Sequence, residues 1–373
     1  MKKIHFDSHV SAAASKTVLE KMIPFLGVRK IAPSILKEAY QAIYDLVGAK
    51  AENHFIFTSS GAEAVNHAVF AAYLDIARKT GKNHFITSNV DEAPAIMAMG
   101  RLQEMGCVYE MAQAEKEGRV TLGSIADAIT PRTAMLSLSW ANGLTGVVQP
   151  VYEIAELCRD RGILFHVEAT HVLGKEGYTL ESSGADILTF NGEELHAPRR
   201  TGGLFIRSGI EISPMIMGGE EQGGMLGGSI DGAGLIGLAQ ACKEILASSD
   251  ALAIEGARLR NRFETLVGEG TALFKQSERL PNITAMIFPP VVSETLLYRL
   301  NVRGVFATAG GGHFQQIRHI LKASGIEAPF CHSGLSFAFS QDTTEKEIER
   351  GAAIINEEVI KLKNYSEGLL HEY

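Results

Sequence analysis

The chain is predicted to be an α/β protein. Its large domain would hold a mostly parallel, seven-stranded-type sheet sandwiched by helices, with a smaller C-terminal α+β domain beside it. Two observations predict this. From about residue 35 to residue 210, short apolar runs alternate with longer amphipathic segments, the signature of strand–helix units joined by right-handed crossovers. After Gly228 the spacing changes to a long helical period and then to isolated short apolar runs, which marks a second architecture.

In order, HFIFTSS begins at His54 and is followed by the helical EAVNHAVFAAYLDIARKTG; HFITSN begins at His84 and is followed by PAIMAMGRLQEMG. TAMLSLSW begins at Thr133 and precedes PVYEIAELCRDRG, after which ILFHVEA, DILTFNG and GGLFIR complete the strands of the large domain. Binding sites in such sheets collect at the carboxyl ends of the strands, here the SSGAE, NVDEAP, SWANG, VEATH and NGEEL segments. Beyond them, GLIGLAQACKEILASSDALAIEGARLRNRFETLVGEG reads as one or two helices leading out of the domain. ITAMIFPP, GVFATAGGG and LSFAFS read as short strands, and Ile348, Ala352, Ile355, Val359 and Leu362 share one face of a final helix. The large domain is placed at residues 14–250 and the small one at residues 1–13 and 251–373.

Composition excludes several classes of function. The 373 residues carry a net charge of −8, and no cluster of Lys and Arg could neutralise many phosphates, so no nucleic-acid partner is expected. No run reaches the roughly 20 apolar residues that span a bilayer, and MKKIHFDSHVS lacks the apolar core of a leader, so a cytoplasmic protein is expected. Four cysteines, Cys107, Cys158, Cys242 and Cys331, show neither disulfide nor zinc spacing.

The succession FTSSGAEAVN, ITSNVDEAP, LSWANGLTGVVQPVYEIAELC, LFHVEATHVLGK, ADILTFNGEELHAPRRTGGLFIR and TTEKEIE resembles the cysteine desulfurases of the class V aminotransferase fold, fold type I among pyridoxal phosphate proteins. The resemblance covers nearly the whole chain. It implies an anion site at Ser60, Gly61 and Ala62, a ring-hydroxyl contact from Asn142, a carboxylate for the ring nitrogen at Glu168, and Ser229 reaching a neighbouring subunit's phosphate in a homodimer.

Several positions depart from the pattern. Aligned on Ala197-Pro198, Glu193 falls where the family has a histidine and Glu194 where it has the lysine that holds the cofactor covalently. A carboxylate cannot form that bond. Glu92 stands for the ring-stacking histidine, Glu168 for an aspartate and His171 for a glutamine; Ser336 stands for the carboxylate-binding arginine. No cysteine lies between Cys242 and Cys331, and His313 or a glycine occupies the loop where the sulfur acceptor would be.

The expectation is therefore a desulfurase-like pseudoenzyme with a degenerate pocket of Glu92, Glu168, His171, Glu193 and Glu194. It would take no cofactor and act as a binding or regulatory homodimer, with a protein partner in sulfur or iron-sulfur metabolism. The alternative is an enzyme using a noncovalently held cofactor, or acid–base chemistry on Glu168 and Glu194. Three other readings are open to the same residues: a metal set from His166, Glu168, His171, Glu194 and His196, a hydrolase built on Ser59 or Ser60 with His171 or His313, and Glu193 or Glu194 simply paired with Arg199 or Arg200. No metal is expected.

Overall fold

A computed structural model describes residues 3–8, 13–175, 177–311 and 316–370, with side chains described as far as residue 364. His313 lies outside the described residues. Twelve strands are found in this part of the chain: β1 (Ile4–His5), β2 (His54–Thr58), β3 (His84–Ser88), β4 (Val108–Ala112), β5 (Thr133–Ser139), β6 (Leu164–Glu168), β7 (Ile187–Asn191), β8 (Gly202–Ile206), β9 (Thr271–Ala272), β10 (Ile283–Ile287), β11 (Val305–Phe306) and β12 (Gly334–Ala338).

Seven of these form the central sheet in the order β2-β8-β7-β6-β5-β3-β4. Only β8 runs against its neighbours, pairing antiparallel with both β2 and β7, and the other pairings are parallel. The α/β reading therefore holds. Strands β3, β5 and β8 are buried along their whole length, as continuous apolar runs covered on both faces should be. Strand β4 was not anticipated: it is an edge strand on which only Ala112 is fully buried, so it carries no apolar run.

Gly202 and Gly203 let β8 pass close to its neighbours. A β-carbon on Gly203 would stand 2.4 Å from the Phe55 ring, and one on Gly202 would stand 2.6 Å from the carbonyl carbon of Ser60. That second contact sets the helix Gly61–Ala72 against the carboxyl end of the sheet.

The small domain pairs β10 with β12 and β9, all antiparallel, and β1 returns to pair with β11. The helix Gly232–Leu266 is continuous through residue 250. Its first turns pack Leu235, Leu238 and Cys242 into the core of the large sheet, while Leu259 and Phe263 enter the core of the small domain. Ile348, Ala352, Ile355 and Val359 of the last helix share that second core. Among the described residues no helix is long and apolar enough to cross a membrane.

Candidate active site

A cavity of about 350 Å³ opens at the carboxyl ends of β2, β5, β6 and β7. One wall is the start of the helix Gly61–Ala72. Ser60 caps it, its Oγ accepting from Glu63 N at 3.1 Å, and the Ser60 carbonyl takes Ala64 N at 3.1 Å. The amides of Gly61 and Ala62 keep no partner among the described residues, and both residues line the cavity. Such amides at the positive end of a helix suit an anion.

Glu168, the last residue of β6, lines the same cavity and is only 8 % exposed. Its Oε1 accepts from both the backbone and the hydroxyl of Thr170, while Oε2 has no partner among the described residues. Burial pushes its carboxyl up to about 7; His171 and Thr170 work against that shift and Glu92 adds to it. A buried carboxylate oxygen without a donor is costly unless a ligand or a proton meets it.

His171 sits among the acids. Its Nε2 lies 3.6 Å from Glu92 Oε1, and although burial disfavours its charge, Glu92, Glu194 and Glu168 lift it to about 9. Gly143 admits the ring, because a β-carbon at that position would collide with it.

Glu193 and Glu194 open the short helix that follows β7, and both line the cavity. Glu194 is enclosed by protein but borders cavity space, so burial raises its carboxyl while His171 and Lys175 pull it back. Behind it, Lys175 donates to the His171 carbonyl at 2.5 Å and lines adjoining cavities shared with Glu194. Enclosure drops the Lys175 amine to about 8, against the pull of Glu194.

The structure thus brings Glu92, Glu168, His171, Glu193, Glu194, Ser60, Gly61 and Ala62 to one cavity. It leaves out two residues of the expected set. Asn142 is buried in its own turn: its Nδ2 donates to Val90 O, and its Oδ1 accepts from Leu144 N, Thr145 N and Thr145 Oγ1. Ser229 is exposed and away from the cavity.

The other readings change as well. His166 is a core histidine whose ring nitrogens meet Ser137 Oγ and Thr189 Oγ1, each at 2.8 Å, and burial lowers it to about 3. Among the described residues no group of three or more His, Cys, Asp or Glu side chains is placed to hold a metal ion. Arg199 and Arg200 are exposed, and no ion pair among the described residues joins them to Glu193 or Glu194. Ser336 is buried in β12 and donates to Leu144 O, and Cys331 is buried with Sγ against Ile326 O.

Sequence reasoning missed Asp91. It is fully enclosed and ties β3 to β5, accepting from Thr87 Oγ1 at 2.6 Å, Ser88 N at 2.7 Å and Ser139 N at 2.7 Å, which fixes the segment that presents Glu92. It sits next to Glu92 in NVDEAP, so the signal was available.

Fold and cavity together define an α/β protein in which the start of a helix and a buried carboxylate line one strand-end cleft. The chain belongs to the Aminotransferase class-V family, which it matches over residues 6–350. It is 28% identical to a cysteine desulfurase of Nostoc sp., an alignment covering 98% of this chain and 95% of the relative. It is 30% identical to cysteine desulfurase 2 of Trichormus variabilis, covering 94% and 91%. A solved NifS-like protein superposes with a TM-score of 0.87 at 22% identity, covering 95% of this chain and 99% of that one, which establishes the shared fold.

These findings correct two expectations. The pseudoenzyme reading and the expected absence of a cofactor rested on a handful of substituted positions. Family membership along nearly the whole chain, with relatives named as desulfurases, points instead to an enzyme and to pyridoxal phosphate.

The cavity's fit to that group divides. The helix start suits its phosphate and the unpartnered Glu168 Oε2 suits a protonated ring nitrogen, whereas no lysine lines the cavity among the described residues.

Proposed function

We propose that the chain is an enzyme of amino-group chemistry that holds a pyridoxal-phosphate-type cofactor in this cavity without a covalent link. Cysteine is the first substrate to test. The observation that carries this reading is that one cavity is lined both by the helix start at Gly61 and Ala62 and by Glu168, whose Oε2 has no donor among the described residues. When bound, the group supplies an electron-withdrawing ring that eases bond breaking next to a substrate amine.

The chain's own residues do the rest. Gly61 and Ala62 amides receive the phosphate, with Ser60 holding the helix start in place. Glu168 accepts the ring N–H, and Thr170 orients that carboxylate by two hydrogen bonds. His171, charged at neutral pH through Glu92, Glu194 and Glu168, is a proton donor beside the cavity, and Glu194 is an acceptor of raised basicity. Glu194 stands where the resemblance places the cofactor lysine, which is why the proposed binding is noncovalent. The homodimer belongs to the same reading, with exposed Gly228 and Ser229 at the place the resemblance gives to the subunit contact.

The test is absorbance titration of the purified chain with pyridoxal phosphate and with pyridoxamine phosphate, followed by sulfide and keto-acid assays with cysteine and other amino acids. Saturable binding is expected, with turnover of an amino acid when a keto acid is supplied to take up the amino group. Absence of saturable binding of either compound would overturn the reading.

A further inference from the structure

The cavity has one end suited to an anion, at Gly61 and Ala62, and the rest of its charged lining is unusual for a site that receives an aldehyde. Glu92, Glu168, Glu193 and Glu194 all line it, against a single imidazole, His171. No lysine or arginine does so among the described residues. An enclosed amine, Lys175, is held by the His171 carbonyl and lines adjoining cavity space that Glu194 also borders.

An acidic lining alone would be no site. Here a second observation points to a ligand: Glu168 is more than nine-tenths buried, lines the cavity, and has an oxygen with no donor in reach among the described residues. A group bearing N–H bonds and positive charge supplies what that oxygen lacks, and charge-assisted bonds of this kind are the strong ones.

Resting on the cofactor reading above, we propose that the cavity selects the amine form of the cofactor, pyridoxamine phosphate, over the aldehyde form. Its phosphate is held by Gly61 and Ala62, its ring nitrogen by Glu168, and its ammonium group by Glu194. In a site with a lysine, the protein brings the amine and the ligand brings the carbonyl. Here the protein brings the acid, so the ligand brings the amine. Specificity comes from the charge that an aldehyde cannot offer to Glu194.

The titration behaviour agrees. Burial and neighbouring acids hold Glu168 and Glu194 ready to take protons, and a bound cation replaces those protons. The groups facing this pair are Glu92, Glu193 and His171 across the cavity and Lys175 behind it. Affinity for a ligand with a protonated ring nitrogen therefore rises as pH is raised from about 6 to about 8, through the region where Glu168 gives up its proton near 7.

The experiment is calorimetric titration of the full chain with pyridoxamine phosphate and with pyridoxal phosphate, wild type beside Glu194→Gln. A parallel pyridoxal phosphate sample is reduced with borohydride and its peptides are mapped by mass spectrometry. The expected result is that pyridoxamine phosphate binds at least about tenfold more tightly, that Glu194→Gln removes most of that preference, and that no lysine carries a reduced adduct. Equal or tighter binding of pyridoxal phosphate without an adduct overturns the inference and leaves the cofactor reading standing. A stoichiometric adduct on Lys175 or any other lysine overturns the inference and the noncovalent link of that reading together. Binding of neither compound overturns both. Should the variant fail to fold, the wild-type affinity ratio and the peptide map decide alone.

Discussion

Two buried carboxylates, one in each domain, have opposite fates. Glu358 in the last helix is wholly buried, yet Arg299 Nε at 2.7 Å, Arg303 Nη1 at 2.5 Å and Lys361 Nζ at 3.0 Å surround it, and their pull keeps its carboxyl below the usual range despite the cost of burial. Glu168 is almost as buried, but among the described residues only Thr170 donates to it, on one oxygen, and its carboxyl is raised to about 7. The first is a finished structural joint. The second is an unfinished contact, which is the form a binding group takes before its ligand arrives.

The largest effect should come from breaking the finished joint. Glu358→Ala leaves two arginines and a lysine facing one another without their anion. Partial exposure of those cations softens the loss to about 2 kcal/mol. Urea unfolding measures it, and an unchanged midpoint would remove the distinction between the two sites.

Glu168→Gln should do the reverse. Because the folded state binds the Glu168 proton more tightly than the unfolded chain does, wild-type stability falls as pH rises from about 4.5 through about 7. His171 adds the same sign between about 6.5 and about 9, whereas Lys175, lowered to about 8, contributes the opposite sign above that value. The variant is expected to be more stable than wild type by about 1–2 kcal/mol at pH 8 and equal to it at pH 5, with weaker cofactor binding at both. Thermal melts of the ligand-free protein at the two pH values check this; a destabilised variant at pH 8 would mean that Glu168 is satisfied as it stands.

The same contrast explains what could be read from the sequence. Strands β2, β3, β5, β6, β7 and β8 were legible because burial on both faces writes itself as unbroken apolar runs. Strand β4 was not, since an edge strand with Glu110 exposed obeys pairing rather than hydrophobicity. Glu92, Glu168, His171, Glu193 and Glu194 were legible as a group because strand ends converge in this fold. Asn142 was not, because the turn that absorbs its amide is closed by backbone groups that any residue carries. Lys175 beside Glu194 was also hidden, because the loops after β6 and β7 meet only in three dimensions. Reading loss of function from a few exchanged side chains gave too much weight to the pocket and too little to a relationship spanning residues 6–350.

The smallest effect separates two helix caps. Asp231 caps the helix Gly232–Leu266, its Oδ1 accepting from Gly234 N at 2.9 Å, and it serves that helix alone. Ser60 makes an equivalent bond to Glu63 N, but its helix start also walls the cavity. Removing either cap should cost about 1 kcal/mol of stability, so Asp231→Ala and Ser60→Ala should melt alike. Only Ser60→Ala should weaken pyridoxamine phosphate, by roughly threefold to tenfold, because the Gly61 and Ala62 amides lose the bond that fixes their direction. Equal affinity in the two variants would show that the phosphate does not sit on this helix, and would move the anionic end of the ligand to another wall.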